Sequence, residues 1–247
     1  VRSWTPHFGK RNLVIATTGR ASNKGFSTIV SDLLIDYQTL MNSQGFMKFD
    51  NEENEATLIK DNNNINEYFW SKLGFRTDEA FEYVYALLNS PEYQQKYAND
   101  LKKDLARIPM VANKEKYVEI GQKLIDLHLN YEEAPIYSDV SVHSKNNPSY
   151  VVKKMKFAKK RNENGKLEND RSTIVFNSDI TIHDIPEEAY DYIVNGRSAI
   201  EWIMDQYQVK TDKKSEITDD PNDFSDDPKY IYNLLLRIIT VSLKSLG

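Results

Sequence analysis

The chain has 247 residues, enough for one large domain or two small ones, and a composition with 28% charged and 11% aromatic residues excludes wholesale disorder. No signal peptide is visible in this sequence, and no apolar run reaches the roughly 20 residues that a membrane span needs. The absence of cysteine excludes disulfides, a thiolate nucleophile and a Cys-based zinc site. The formal net charge of -5 weighs against a simple basic DNA-binding domain, although phosphate contacts depend on one face and not on the sum.

The first predicted elements are two strands joined by a loop with glycine at both ends. Short apolar, β-branched runs predict strands at Arg11–Thr18 and Phe26–Ile35. The loop between them, Gly19–Gly25, fits neither a P-loop nor the dinucleotide fingerprint. Its polar side chains suit hydrogen bonds to base edges and phosphates, while an ordinary solvated hairpin loop is the alternative interpretation. The candidate DNA-contact residues in this loop are Arg20, Ser22, Asn23 and Lys24.

The next stretch contains a third short strand and the first helices. We predict a strand at Phe46–Phe49. The acidic, Asn-rich segment Asn51–Asn66 predicts a surface loop running into a short helix at Ile65–Leu73. Further along, apolar residues recur at helical spacing in Asn113–Leu129, which predicts an amphipathic helix.

Between these segments lie two helices in tandem. The first starts at Asp78, and Ser90-Pro91 restarts the chain, because Ser is a good N-cap and Pro at the first helical position needs no N–H. The apolar stripe Tyr93–Leu105 predicts that the second helix continues until shortly before Pro109, which cannot extend a helix. The aromatic side chains of this block are typical of core packing.

The second half of the chain opens with predicted antiparallel strands. The polar segment Val140–Ser149 predicts a linker. Tyr150–Phe157 predicts a strand, a turn follows at Asn164-Gly165, and Ser172–Asn177 predicts the returning strand of a β-hairpin. A further short strand is expected at Asp179–Ile185.

Three helices are predicted near the C-terminus. Pro and acidic residues at the start of Pro186–Val194 favour a short helix. Ser198 and Glu201 have the spacing of a capping box for a helix over Ala199–Tyr207. An acidic loop with two prolines then precedes a long apolar helix, Lys229–Leu246.

Positive charge concentrates around the predicted hairpin of this otherwise acidic chain. One interpretation is a solvated sheet edge that lysines protect from aggregation. The other is a ribbon that contacts DNA phosphates, and the residues alone leave both open. The candidate contacts are Lys153, Lys154, Lys156, Lys159, Lys160 and Arg161, and Lys166 and Arg171 belong to the same cluster.

The sequence contains no catalytic motif. A GxSxG elbow, an HExxH helix and the Asn-Pro-Pro-aromatic motif of an amino-methyltransferase are all absent. Adjacent acids such as Asp219-Asp220 are typical of solvated surface carboxylates. The histidines at positions 7, 128, 143 and 183 lack metal-ligand spacing. We therefore predict no catalytic residue and no metal site, and the enzymatic alternative is a hydrolase whose acids meet only in the folded chain.

Several long blocks carry a family resemblance. The blocks YVYALLNSPEYQQKYANDLKKDLARIP, IPEEAYDYIVNGRSAIEWIMDQYQ and LLLRIITVSL follow one another in the chain. They resemble the C-terminal specificity domain, or target recognition domain, of type ISP restriction-modification enzymes and related helicase–methyltransferase fusions. The resemblance runs from about Asn12 to the C-terminus.

The resemblance implies recognition of a specific double-stranded DNA sequence. The bound DNA would be presented to a methyltransferase domain, which flips an adenine for N6 methylation. Unmodified DNA would license ATP-driven translocation and cleavage by helicase and nuclease domains. The implied partners are double-stranded DNA and these domains of a cytoplasmic parent enzyme, with no membrane involved. S-adenosylmethionine, ATP and Mg are implied for the parent, and no cofactor is implied for this chain.

We predict an α+β fold of short mixed or antiparallel sheets packed with amphipathic helices. It would form two lobes, residues 1–139 and 140–247, and the chain would be a fragment of a larger multidomain enzyme. The fragment itself is predicted to be non-catalytic. The alternative function is a non-catalytic interaction or scaffold module that docks the methyltransferase and helicase domains.

Overall fold

The computed structural model of the protein describes residues 12–49, 72, 74–75 and 77–247. The predicted loop Asn51–Asn66 and most of the predicted helix Ile65–Leu73 lie outside these residues. The chain divides into two compact units, of which unit 1 comprises Val1–Asn130 with Val194–Gly196, and unit 2 comprises Tyr131–Ile193 with Arg197–Gly247. Helices and several short antiparallel sheets confirm the predicted α+β class.

Unit 1 contains a three-stranded antiparallel sheet in the order β2-β1-β3. Its strands are β1 (Val14–Thr17), β2 (Thr28–Ser31) and β3 (Gln44–Met47). The second predicted strand was too long, since β2 ends at Ser31, whose Oγ accepts a hydrogen bond from the Leu33 backbone N at 3.0 Å. This local turn leaves Leu33 71% exposed, so its apolar character does not mark a core strand.

The described part of unit 1 also contains the helices α1 (Thr77–Asn89), α2 (Pro91–Lys96) and α3 (Lys114–Leu129). Helices α1 and α3 lie so close together that a Cβ atom at Gly121 would be 1.9 Å from the carbonyl oxygen of Glu82. Glycine is therefore required at this crossing. The buried apolar side chains between the sheet and helices are Ile15, Val30, Phe81, Tyr83, Tyr85, Leu87, Leu88, Tyr93, Leu101 and Leu124.

Helix α2 is shorter than its apolar stripe predicts. Ser90 caps it as expected, its Oγ accepting a hydrogen bond from the Tyr93 backbone N at 3.3 Å. The prediction that the helix continues to Leu105 was wrong, because the chain enters turns after Lys96. The Tyr93 hydroxyl donates to the backbone oxygen of Arg107 at 2.7 Å, so the aromatic residue that suggested a longer helix instead holds the returning chain.

Unit 2 contains a four-stranded antiparallel sheet in the order β4-β7-β6-β5. The predicted linker Val140–Ser149 was wrong in part, because β4 (Ser141–Ser144) lies within it. All four residues of β4 are exposed, so this edge strand has no apolar face from which it could be recognised. The other strands are β5 (Lys156–Arg161), β6 (Leu167–Val175) and β7 (Ile180–His183).

The basic strand was predicted at Tyr150–Phe157 but begins six residues later, at Lys156, and ends at Arg161, before the turn that was predicted at Asn164-Gly165 and is present there. The earlier residues are held by a side chain, since Val152 exchanges two hydrogen bonds with the amide of Asn222, each 2.9 Å long. Val152 is completely buried, so its apolar character reflects core packing outside any strand.

The predicted helix Pro186–Val194 was wrong. A 3-10 turn at Glu187–Tyr190 leads into a hairpin of β8 (Ile193–Val194) and β9 (Arg197–Ser198), whose turn residues Asn195 and Gly196 have positive φ. The remaining elements are α4 (Ala199–Gln206), β10 (Lys210–Thr211), β11 (Thr218–Asp219) and α5 (Tyr230–Leu246).

Helix α5 supplies much of the buried core of unit 2. Its fully or nearly fully buried side chains include Leu234, Leu235 and Ile239, which pack with Phe176 and Ile182 of the sheet region. In the described part of the chain, none of the helices combines the length and apolarity that crossing a lipid bilayer would require.

Candidate nucleic-acid interface

The loop Gly19–Gly25 joins β1 to β2, as predicted, and its stem is firmly held in unit 1. The Thr18 backbone N donates to the backbone oxygen of Ser27 at 3.0 Å, and the Ser27 backbone N donates to Thr18 Oγ1 at 2.6 Å. A Cβ atom at Gly19 would lie 1.9 Å from the carbonyl oxygen of Asn42. The base of the loop is therefore closed by hydrogen bonds and by a contact that only glycine permits.

The tip of this loop presents its polar side chains to solvent. Arg20, Asn23 and Lys24 are exposed, and Ser22 is half-buried. Ser22 Oγ accepts a hydrogen bond from the Lys24 backbone N at 3.1 Å, which shapes the turn. Among the described residues, no ion pair forms with Arg20 or Lys24. The loop, whose base is fixed by hydrogen bonds, therefore exposes two cationic side chains and one amide.

The six candidate residues of the basic segment do not share one hairpin, contrary to the prediction. Lys153 and Lys154 precede β5, Lys156 begins it, and only the remaining three follow along the paired strand. The backbone oxygen of Lys153 accepts a hydrogen bond from the Val209 backbone N at 3.0 Å, outside the sheet. All six side chains are nonetheless exposed: Lys153, Lys154, Lys156, Lys159, Lys160 and Arg161.

The far end of the β5–β6 hairpin extends beyond the sheet. Phe157 pairs with Ile174, but the next residue of β5, Ala158, pairs with Asp170, so three residues of β6 bulge out between these pairs. Strand β7 pairs with β6 only at the sheet side of the bulge. Residues 158–170 therefore form a two-stranded segment that has no further strand partner in the described part of the chain, and we call it the ribbon.

The base of the ribbon is fixed by the bulged residues. Arg171 Nη2 lies 3.1 Å from Glu201 Oε2, and its guanidinium lies 4.7 Å from the centre of the Tyr190 ring. The Tyr190 hydroxyl donates to the backbone oxygen of Arg171 at 2.7 Å. The Ile185 backbone N donates to the backbone oxygen of Ser172 at 3.0 Å. Arg171, which the sequence placed in the basic cluster, is thus a structural anchor of the ribbon.

The ribbon is less basic than the local sequence suggests. Four basic and three acidic residues lie within it. Lys160 Nζ lies 3.7 Å from Asp170 Oδ1, and Lys159 Nζ donates to Asn169 Oδ1 at 2.6 Å. Hydrogen bonds from Ser172, aided by nearby Lys160, hold the pKa of Asp170 below its usual range. Its carboxylate is therefore charged near neutral pH and offsets part of the positive field.

Two cavities of about 320 Å³ bear on the hydrolase alternative. The first, in unit 1, includes Asp100 and Asp104 in its lining, and both side chains are exposed to solvent. The second, in unit 2, includes Glu201 and Asp205, which form ion pairs with arginines. Carboxylates in such settings are solvated or neutralised, and neither arrangement favours general acid–base chemistry.

Two of the described histidines lie close together. The rings of His143 and His183 lie 5.3 Å apart on adjacent strands, a closeness that their separation in sequence did not suggest. Within the described ranges, no cluster of three or more His, Asp or Glu side chains is placed to hold a metal ion.

The chain is similar to known proteins over nearly its whole length. The family described as the Type ISP C-terminal specificity domain matches residues 2–234. A solved structure of a nuclease-deletion mutant of the Type ISP restriction-modification enzyme LlaGI, in complex with a DNA substrate mimic, is 48% identical with a TM-score of 0.76. That match covers 96% of this chain and 20% of the LlaGI chain.

Two further solved structures show the same similarity. The ATP-dependent Type ISP restriction-modification enzyme LlaBIII, bound to DNA, is 44% identical with a TM-score of 0.80, covering 96% of this chain and 15% of that one. A DrdV–DNA complex is 25% identical with a TM-score of 0.78, covering 98% of this chain and 25% of that one. Among curated proteins, no match was found. This chain therefore spans a quarter or less of the length of these three proteins.

Proposed function

Since this chain belongs to the Type ISP C-terminal specificity domain family, we propose that it recognises a specific sequence of double-stranded DNA within a restriction-modification enzyme. The observation that carries the proposal is the 48% identity, over 96% of the chain, with LlaGI solved in complex with a DNA substrate mimic. At that identity and coverage, the two domains share a fold closely enough for a common binding role.

We infer that the two exposed polar regions divide the work of binding. Base edges carry sequence information, whereas phosphates position the protein on the duplex. The loop Gly19–Gly25 offers donors and acceptors suited to base edges on a held stem, which reduces the ordering cost of binding. We assign base contacts to Arg20, Ser22, Asn23 and Lys24, and phosphate contacts to Lys153, Lys154, Lys156, Lys159, Lys160 and Arg161.

We further propose that recognition serves reactions performed by other domains. A bound target sequence would be presented to a methyltransferase domain for adenine N6 methylation with S-adenosylmethionine. The same sequence, if unmodified, would license ATP- and Mg-dependent translocation and cleavage in the cytoplasm. Base flipping explains this division, since one part holds the duplex in register while another receives the extruded base. This chain would contribute binding and no catalytic group.

The proposal is tested by binding the purified chain to a pool of random duplexes across a salt series, with sequencing of the bound fraction. We expect binding that weakens with salt and an enriched sequence motif, since phosphate contacts release counterions and base contacts select sequences. Salt-dependent binding without enrichment would leave only a general DNA clamp.

A docking module is the second candidate function, favoured by the cavity in unit 1. Tyr93, Tyr97 and Ile108 form part of its lining, and Leu105 at the same site is 42% exposed. Such a surface suits an apolar segment of a neighbouring domain. No binding of the chain to DNA even at low salt would favour this function over target recognition.

A further inference from the structure

The two faces of the ribbon differ in charge. Successive residues of a strand point to opposite faces, and directly paired residues of two strands share a face. The register therefore sorts the side chains into two sets. The set that we call the cationic face consists of Lys159 paired with Asn169 and Arg161 paired with Leu167.

The opposite set, which we call the acidic face, consists of Ala158 paired with Asp170 and Lys160 paired with Glu168. It carries two carboxylates and one lysine, and that lysine already lies 3.7 Å from Asp170. The cationic face carries two basic residues and no carboxylate. Because like charges repel at short range, only the cationic face can approach a phosphate-lined groove without an electrostatic penalty.

The ribbon also has the shape that a groove requires. A two-stranded β-ribbon fits the major groove of B-form DNA, which is about 12 Å wide. The ribbon pairs with no third strand among the described residues, and the side chains on its cationic face are exposed. Leu167, at the far end of this face, is 57% exposed. Its apolar side chain could contact thymine methyl groups, which lie in the major groove.

The hydrogen bonds of the cationic face leave it equipped with donors. Arg161 Nη1 donates to the backbone oxygen of Gly165 at 2.8 Å, which holds the guanidinium at the ribbon while its other N–H groups can donate elsewhere. Lys159 Nζ donates to the oxygen of the Asn169 amide, which leaves the NH₂ group of that amide as the part that can donate to a ligand. Donors of this kind match the N7 and O6 acceptors that purines present in the major groove.

We propose that the ribbon enters the major groove with its cationic face toward the base pairs, where Arg161 and Asn169 donate hydrogen bonds to purine acceptors. Lys159 holds the Asn169 amide in its reading orientation, and the acidic face lies toward solvent. This inference rests on the proposed function and changes the roles of two residues, because Arg161 becomes a reader of sequence and Lys159 a positioning residue for Asn169, where both were assigned phosphate contacts.

The test compares substitutions that differ only in face. Lys159→Ala and Lys160→Ala remove the same side chain and the same charge from adjacent positions of β5, so they are matched. We expect Arg161→Ala to weaken binding to the selected duplex by about tenfold to hundredfold, the range of one bidentate base contact. Asn169→Ala and Lys159→Ala should weaken it by about fivefold to tenfold, the range of one hydrogen bond. Arg161→Ala and Asn169→Ala should also relax the motif at purine positions. Lys160→Ala should leave the motif unchanged and weaken binding to all duplexes alike, by less than about threefold, because it removes at most one phosphate contact.

Unsubstituted chain and variants are bound to the same random duplex pool, and the melting temperature of each variant is measured first. If the unsubstituted chain selects a motif but Arg161→Ala and Asn169→Ala select it unchanged, the ribbon assignment is overturned while target recognition stands. Equal losses for Lys159→Ala and Lys160→Ala would overturn the face assignment in the same way. If the unsubstituted chain selects no motif, the failure lies in the proposed function itself.

Discussion

At the scale of single residues, His128 shows how burial decides the role of a titratable group. Its position beside the apolar face of α3 does not by itself distinguish a packed residue from a surface residue. The Tyr85 hydroxyl lies 2.6 Å from His128 Nδ1, and the two rings meet edge to face at 5.8 Å. Burial lowers the pKa of His128 to about 4, so the imidazole is neutral near pH 7.

This neutral histidine predicts a pH-dependent stability. An unfolded histidine has a pKa of about 6.5, so between there and about pH 4 the unfolded chain binds a proton that the folded chain does not. The contribution of His128 is therefore complete above pH 6.5 and is lost as the pH falls toward 4, by up to about 3 kcal/mol. Urea unfolding of the chain from pH 7 to pH 4 measures the loss.

His128→Gln is the matched variant for that experiment, because it keeps a polar partner for Tyr85 but cannot titrate in this range. Carboxylates contribute equally to both proteins, so the difference between the two pH profiles isolates the histidine. We expect a shallower profile for the variant. Parallel profiles would contradict the assignment of a buried, neutral imidazole.

At the scale of elements, one helix cap also supports the ribbon. Ser198 Oγ accepts a hydrogen bond from the Glu201 backbone N at 3.2 Å, and Glu201 Oε2 accepts from the Ser198 backbone N at 3.3 Å, which confirms the predicted capping box of α4. The same Glu201 oxygen lies 3.1 Å from Arg171, at the bulge of β6. The start of α4 and the base of the ribbon therefore share one carboxylate.

Ser198→Ala is expected to destabilise the chain by about 1 kcal/mol, the usual cost of removing a serine N-cap. The fully buried hydroxyl also donates to Glu201 Oε2 at 2.8 Å, so its loss weakens the carboxylate that holds Arg171. Urea unfolding measures the change. Ser138→Ala provides the control, since that hydroxyl is exposed and outside any helix, and the substitution should cost less than about 0.5 kcal/mol. Equal costs for both would rule out a special role for the cap.

At the scale of the whole molecule, net charge and binding are separate questions. The chain carries a formal charge of -5, yet its exposed lysines before and along β5 form a local positive region. A duplex responds to the field of the surface it meets, and counterion release depends on the phosphates actually contacted. An acidic total therefore limits non-specific attraction without excluding a specific contact surface.

The double variant Lys153→Ala with Lys156→Ala should weaken binding to all duplexes alike. Each lost phosphate contact lowers the slope of log K against log salt by about 0.9, so two contacts predict a change of about 1.8. Anisotropy titrations at several salt concentrations measure it. Lys213→Ala with Lys214→Ala removes the same charge from the exposed turn between β10 and β11, and should leave the slope unchanged. If both double variants show the same slope, Lys153 and Lys156 make no phosphate contacts and do not belong to the DNA interface.

The predictions of secondary structure are correct where nearby residues determine the element, and wrong where distant residues do. The Ser198 cap, the Ser90-Pro91 restart and the apolar faces of α3 and α5 depend on residues within a few positions, and all are present in the structure. The end of α2 and the existence of β4 depend on distant partners. The end of α2 was missed because the hydrogen bond from the Tyr93 hydroxyl to the backbone oxygen of Arg107 leaves no local sequence pattern. The strand β4 was missed because its pairing with β7 leaves none either.

The residues of the candidate DNA interface were likewise predicted only where the local sequence marks them. The exposed loop between β1 and β2 could be located from its glycines and polar residues, because the strands on either side carry a clear apolar pattern. Asn169 and Leu167 were missed, since β6 was predicted to begin at Ser172. The basic run Lys159–Arg161 was visible in the sequence, but its partner strand was not.

By itself, the sequence determined the family, the α+β class and the local caps, because long blocks of residues and short-range hydrogen bonds are written directly along the chain. Only the tertiary structure decided that Arg171 anchors the ribbon and that Lys159 and Lys160 lie on opposite faces of it. These facts follow from the register of β5 against β6, which a three-residue bulge shifts. The bulged residue Arg171 contacts Tyr190 and Glu201, which are distant in the chain, so this arrangement appears only once the chain has folded.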